Sequence, residues 1–256
     1  MSSPPKIVLH WLETSLAQRI LWLLEELDVP YEIKTYKRDP KTRRADPAIQ
    51  TIHALGKAPV LTVGEKVLAE SGFITEYLCE HFKGGALVPT RWEEGKENTL
   101  GGETESWLRY RYFLHYTEGS LMPVLVVSLI NKKNVKNAQV PFYVKPIAAE
   151  ISGNIEKGYT DPNFATHFNV LEERLASAPG GGPYLCGPSL TGADIMMSFP
   201  VLVSTNSPYH APPGVSKETH PKLYAYGLKL QESESYKRAV AKIVELEGEY
   251  KLTAED

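Results

Sequence analysis

Gly56-Lys57-Ala58-Pro59-Val60-Leu61, followed by Glu70-Ser71 at the mouth of an amphipathic run, is the stretch whose reading decides the fold. Residues 60–63 (VLTV) and 66–69 (KVLA) are short and rich in strand formers, and the Gly64-Glu65 pair between them is the glycine-led signal of a type II′ hairpin. Pro59 cannot donate to a sheet ladder, so it belongs at the start of its strand, either in the cis form or as an ordinary trans proline. Ser71 then opens a helix with Phe73, Ile74, Tyr77, Leu78 and Phe82 apolar on one side, closed by Gly84-Gly85.

Toward the amino terminus, residues 6–12 (KIVLHWL) are a mostly apolar run of strand length. Ser15 and Gln18 offer a capping box, and Ile20, Leu21, Leu23, Leu24 and Leu27 continue at helical spacing until Asp28 and Pro30 stop it. Residues 31–37 alternate as a strand, so the unit is strand, helix, strand, which favours a parallel pair joined by a right-handed crossover. A short helical turn is expected over residues 47–52. The order predicts a thioredoxin-like α/β domain (βαβ-α-ββα) over residues 1–86, an exposed linker over 87–95, and an all-α helical bundle over 96–256. Within the bundle, Trp107, Tyr110 and Leu114 share one face of a helix while Tyr112, Phe113 and Tyr116 lie on others, which predicts burial on several sides. Residues 190–195 (LTGADI) read as a capping box with a hydrophobic staple that starts a buried helix over 195–202.

The chain has 256 residues, enough for two domains with a substantial core. Lysine plus arginine number 28 against 31 aspartate plus glutamate, so the charge of -3 gives no reason to expect nucleic acid or an anionic surface as partner. The exception is the run Lys34, Lys37, Arg38, Lys41, Arg43 and Arg44, broken only by Asp39, which reads as a solvated face or as an attractor of a small anion. Cys79 and Cys186 are too few for a disulfide scaffold and have no metal-ligand spacing, so a reducing, cytoplasmic setting and no metal are expected. The amino end lacks an apolar segment behind a basic start, and the most apolar segment, 121–130, is too short to span a bilayer and contains Pro123.

The chemistry follows from the opening stretch. A proline-led strand start leaves the backbone of Ala58 facing a cleft, where an extended peptide can pair with it as an added strand. The cysteinyl unit of glutathione is such a peptide. Its γ-glutamyl end carries an ammonium, which Glu70 can bind, and a carboxylate, which the Ser71 hydroxyl and the amides of a helix start can bind. Ser71 as a plain N-cap is the alternative. Lys57 can meet the glycyl carboxylate, with His53, Lys41 and Arg44 as weaker candidates.

A thiol pKa of about 8.5 must fall for a thiolate to form near neutrality; two units correspond to about 2.7 kcal/mol. One charge-assisted hydrogen bond with a helix start can supply that, and Ser15 stands where the first helix begins. The alternative is that Ser15 only caps its helix. Thr14 is the fallback hydroxyl, and the lack of cysteine in residues 6–27 argues against a redox-active thiol there.

With these residues in place the chain resembles a glutathione S-transferase over nearly its whole length. The resemblance is carried by Ser15 four residues before Arg19, the LWLLEEL run of 21–27, residues 56–61, Ala69-Glu70-Ser71-Gly72-Phe73-Ile74, and residues 190–194. His10-Trp11-Leu12, Tyr36-Lys37-Arg38-Asp39, Glu118-Gly119-Ser120-Leu121 and residues 194–200 (DIMMSFP) resemble a fungal and bacterial group of that family. The resemblance implies glutathione as co-substrate, held by His53, Lys57, Ala58, Pro59, Glu70 and Ser71. It also implies Ser15 in the catalytic position and a site for hydrophobic electrophiles between the domains, with Trp11, Leu12, Tyr112 and Tyr116 as its walls. Conjugation, or glutathione-dependent reduction of hydroperoxides, is the implied activity, in a homodimer packed through the helices near residues 71–82 and 98–116. A non-catalytic ligand carrier on the same fold is the competing function. Residues 131–164 look longer than the usual bundle and are expected to cover part of the electrophile pocket.

Overall fold

A computed structural model describes residues 5–42, 44–82, 85–206 and 211–253. Arg43 of the basic run and Gly84 of the expected helix stop lie outside the described residues. The strand-helix-strand unit forms as expected: β1 (Ile7–Leu12), α1 (Ala17–Leu27) and β2 (Glu32–Tyr36), with β1 and β2 parallel and Val8 opposite Glu32. Asp28 takes a left-handed conformation (φ 55°, ψ 45°) that ends α1. The helical turn expected over 47–52 is a 3₁₀ turn, Pro47–Thr51, capped by the Asp46 carboxylate, which accepts from Ala48 N–H at 2.8 Å.

β3 (Val60–Val63) and β4 (Lys66–Ala69) make the expected hairpin, with Gly64 at φ 58°, and β3 runs antiparallel to β1. The sheet order is β2-β1-β3-β4. Ile7, Leu9 and Trp11 of β1 face a large core, whereas Leu12 packs in a separate small cluster with Tyr36 and Ile49. This alternation is the period of two of a strand buried on both faces. α2 (Ser71–His81) begins directly after β4, so the sheet edge and the start of α2 are held as one corner.

Two local expectations need correction. Ser15 does not cap α1 through a box with Gln18: the N-cap position falls on Leu16, without a side-chain cap bond, and Gln18 Nε2 turns to the carbonyls of Ser15 and Leu252. The segment 87–95, expected as an exposed linker, is exposed over much of its length but is tied down along it. Leu87 is buried, Arg91 and Glu93 pair by backbone with Thr104 and Gly102, and the Arg91 guanidinium lies over the rings of Trp92 and Trp107.

From Glu105 on, the described residues are helical, without a strand: α3 (Glu105–Tyr116), α4 (Met122–Ile130), α5 (Lys145–Ile155), α6 (Asp161–Ala176), α7 (Gly192–Asn206), α8 (Pro221–Glu232) and α9 (Glu234–Glu247). A π turn, Thr117–Leu121, joins α3 to α4. Tyr110, Phe113 and Tyr116 of α3 are buried, but Tyr112 is 47% exposed, so one side of the helix faces outward.

The buried helix expected over 195–202 is longer, and its start differs from a reciprocal capping box. Both the Thr191 N–H (2.9 Å) and the Thr191 hydroxyl (2.7 Å) donate to Asp194 Oδ2, while Asp194 Oδ1 accepts from Leu185 N–H at 3.1 Å and Tyr226 O–H at 2.9 Å. Burial pushes the Asp194 carboxyl up, and these four donors oppose the push. α1 packs against α7 and α9, so a single core cluster runs from the sheet into the helices.

Candidate functional site

All six residues expected to hold glutathione border one recess. His53, Lys57, Ala58, Pro59, Glu70 and Ser71 line it together with Leu16, Leu55, Ala69 and Glu118. The Ala58-Pro59 peptide bond is cis, the first of the two forms expected. Glu70, not Ser71, occupies the N-cap position of α2 and makes no side-chain cap bond, so the plain N-cap reading of Ser71 is set aside. The Ser71 hydroxyl has no hydrogen-bond partner among the described residues, although the residue is only 5% exposed. Glu70 adopts φ 70°, a conformation costly for a residue with a Cβ, which turns the chain sharply from β4 into the helix. The first amides of α2 therefore open on the recess, where partial positive charge favours a carboxylate.

Leu55, Lys57 and Ala58 also line a wider cleft of about 710 Å³, so the recess and the cleft adjoin. The cleft is bordered by Ser15 and Leu12 on one side and by Arg38, Thr42, Arg44, Asp46 and Gln50 on the other. Arg44 reaches this border. Lys41 is not part of this border. Arg38 is tied into the scaffold as well as bordering the cleft, because its guanidinium donates to the Glu13 and Thr14 carbonyls at 3.1 and 3.2 Å. Its own N–H donates to Glu13 Oε1 at 2.8 Å. Arg38 thus fixes the turn that presents Ser15, a role the charge pattern alone did not reveal.

Ser15 sits between two clefts. Its Oγ donates to the Leu12 carbonyl at 2.7 Å and accepts from Ala17 N–H at 3.2 Å. The hydroxyl has one proton, so donation to a sulfur anion means leaving Leu12, while acceptance from Ala17 can continue. The fallback hydroxyl is worse placed: Thr14 Oγ1 is buried without a partner among the described residues, on a residue at φ 43°. On the far side of Ser15 lies a polar cleft bordered by Trp11, Glu13, Lys37, Glu247, Glu249 and Lys251.

The four residues expected to wall an electrophile pocket do not converge in it. Trp11 borders the polar cleft and donates from Nε1 to Glu247 at 2.6 Å, and Leu12 borders the wide cleft. Tyr112 and Tyr116 border neither: their rings stack at 5.3 Å, and the Tyr116 hydroxyl meets His167 Nδ1 at 2.7 Å. Aromatic residues at helical spacing carry no sign that separates a pocket wall from core. Residues 131–164, expected to cover the pocket, line neither the clefts beside Ser15 nor the recess.

Both cysteines are buried and free, and burial raises the Cys79 thiol to about 12, so neither offers a thiolate. A residue that sequence reasoning did not place in the site is Glu118, on the π turn after α3. It reaches the recess only because the helices fold against α2, and its carboxylate pairs with the fully buried Arg19 of α1. Burial pulls the Arg19 guanidinium down from its ordinary value and Glu118 pulls it back up.

Comparison with known proteins agrees with this geometry. Residues 4–80 match the family described as Glutathione S-transferase, N-terminal domain. Glutathione S-transferase 1 of Saccharomyces cerevisiae is 35% identical over 224 residues, which cover 84% of this chain and 89% of the yeast protein. The chain belongs to the glutathione S-transferase family. Glutathione S-transferase 3 of Schizosaccharomyces pombe is 31% identical over 77% of the transferase described here and 74% of its own length. A glutathione S-transferase crystal structure from Actinobacillus pleuropneumoniae superposes with a TM-score of 0.67 at 28% identity, covering 92% of each chain. The fold is also that of a Phanerochaete chrysosporium glutathione transferase with oxidized glutathione, at a TM-score of 0.68, 17% identity, and coverage of 98% of this chain and 100% of that one. The transferase has the thioredoxin-like amino-terminal domain and mostly helical carboxyl-terminal region of this family.

Proposed function

We propose that this transferase holds glutathione in the recess, with its sulfur at the start of α1, and adds the thiol to hydrophobic electrophiles. The observation that carries the reading is the convergence of His53, Lys57, Ala58, Pro59, Glu70 and Ser71 on one recess that shares Leu55, Lys57 and Ala58 with the cleft at Ser15. The γ-glutamyl carboxylate meets the Ser71 hydroxyl and the first amides of α2, its ammonium meets Glu70, and the cysteinyl backbone lies along Ala58. Lys57, with Arg44 further out, faces the glycyl carboxylate. The thiol proton leaves to solvent, and the sulfur anion is stabilised by the Ser15 hydroxyl and the α1 start before it attacks the electrophile. Exposed Leu55 and half-buried Leu16 supply apolar surface along this path. Reduction of organic hydroperoxides uses the same thiolate.

The reading extends to organisation. The thioredoxin-like domain is taken as residues 1–86, the connection as 87–95 and the helical domain as 96–256. A homodimer packed through α2 and α3 is supported by Phe73 at 51% exposure and Leu108 and Tyr112 at 47% each. A cytoplasmic setting is supported by two free, buried thiols.

The test is steady-state conjugation and peroxidase activity with glutathione across a chemically diverse electrophile panel, with Ser71→Ala alongside. Turnover that saturates in glutathione, with KM raised about tenfold in Ser71→Ala, is expected. No turnover with any electrophile would instead favour a ligand carrier.

A further inference from the structure

Resting on the assignment of the recess to the γ-glutamyl end, we propose that Glu118 is a second ligand for the substrate ammonium and that Arg19 is its positioning residue. Glu118 is the contribution of the helical region to a recess otherwise lined from residues 16–71. Its Oε1 pairs with Arg19 Nη1, while its Oε2 has no hydrogen bond among the described residues, and the side chain remains 38% exposed. One oxygen is therefore anchored and the other is left for a ligand.

Arg19 explains why that carboxylate stays in place. Its side chain is 0% exposed, its guanidinium lies 5.4 Å from the Phe199 ring centroid, and its Nε and Nη2 are buried without partners. Glu118 is thus the one anionic partner this buried cation has among the described residues, and releasing it would strand the charge. The charges also balance. With Lys57 assigned to the glycyl carboxylate, Glu70 and Glu118 against Arg19 leave one negative charge in excess at the γ-glutamyl end, which an ammonium cancels. Glu70 makes no side-chain cap bond and remains available for the same ammonium. The substrate carboxylate is served separately, by Ser71 and the α2 amides.

Two ligands decide the matter: glutathione and its des-amino analogue, glutaryl-cysteinyl-glycine, identical except for the missing ammonium. KM and kcat are measured for both with wild type, Glu118→Gln and Glu70→Gln. In Glu118→Gln the KM for glutathione is expected to rise about tenfold, with kcat within twofold and the KM for the analogue unchanged. Arg19→Lys gives the same split at smaller amplitude. An equal rise for both ligands makes Glu118 only a structural pin and overturns the proposal, as does an unchanged KM for glutathione. Should Glu118→Gln leave too little folded protein, Glu118→Asp keeps the charge for Arg19 and withdraws it from the recess by one methylene. The same split is then expected, and its absence counts against the proposal. If wild type treats both ligands alike and Glu70→Gln is silent, the assignment of the recess itself fails, a result distinct from the failure of Glu118 alone.

Discussion

Ser15→Ala measures how much of the thiol activation belongs to the hydroxyl. In the structure that hydroxyl donates to the Leu12 carbonyl at 2.7 Å, so donation to a thiolate replaces a neutral hydrogen bond by a charge-assisted one. A charge-assisted bond contributes about 2 kcal/mol and a neutral one about 1, leaving a net gain of about 1 kcal/mol, or roughly 5-fold. The remainder of the stabilisation falls to the amides at the start of α1, which the substitution leaves in place. Because the lost quantity is thiolate fraction, the effect depends on pH. At pH 5.5 kcat/KM of Ser15→Ala is expected to be roughly 5-fold below wild type, and by pH 8.5, near the solution thiol pKa, the two approach parity. Ala17 N–H also loses its acceptor, so a stability loss of about 1 kcal/mol accompanies the change, and rates are compared per folded molecule. The assay is a pH series of conjugation rates at saturating glutathione and limiting electrophile, so that kcat/KM for the electrophile reports the ionisation of the bound thiol. A ratio of one throughout, or a loss that does not change with pH, refutes the assignment of the hydroxyl to the sulfur.

Two further predictions concern the scaffold. Asp194→Ala strands the N–H groups of Leu185 and Thr191 and the hydroxyl of Tyr226 inside the core, costing about 3 kcal/mol and lowering Tm by roughly 10 °C in scanning calorimetry. A loss under about 1 kcal/mol would show that these donors find other partners. His10 and His167 are both held below the ordinary imidazole value of 6.5, by burial in each case and for His10 also by Lys34. The unfolded chain therefore binds these protons first as pH falls below 6.5, and stability decreases through that window until the native imidazoles titrate. Urea unfolding between pH 7 and pH 5 checks this, with a shallower slope expected for His167→Asn; an unchanged slope removes His167 from the account.

The first third of the molecule was legible because its signals are local. A glycine-led hairpin, a proline at a strand start and a helix opened after Glu70 each fix backbone geometry within a few residues, and together they set the corner where the recess forms. Ser15 was legible in position but not in bonding. A capping box with Gln18 matched the spacing, yet the backbone reaches helical geometry two residues later and the hydroxyl turns back to Leu12. Glu118 and Arg38 were visible only as letters in a familiar pattern. Glu118 shares a recess with Glu70 across 48 positions through the packing of the helices on the amino-terminal domain, and Arg38 meets Glu13 and Thr14 through the parallel register of β1 and β2. The electrophile wall was least legible, since Tyr112 and Tyr116 obey the same helical spacing whether they line a pocket or stack on each other.

The central claim is the placement of glutathione, and a crystal structure with the tripeptide bound tests it most directly. The account predicts the γ-glutamyl carboxylate within hydrogen-bond distance of the Ser71 hydroxyl, the cysteinyl backbone paired with Ala58, and the sulfur beside Ser15. Glutathione seated instead in the polar cleft between Trp11 and Glu247, or with its γ-glutamyl end away from Glu70 and Ser71, would contradict it.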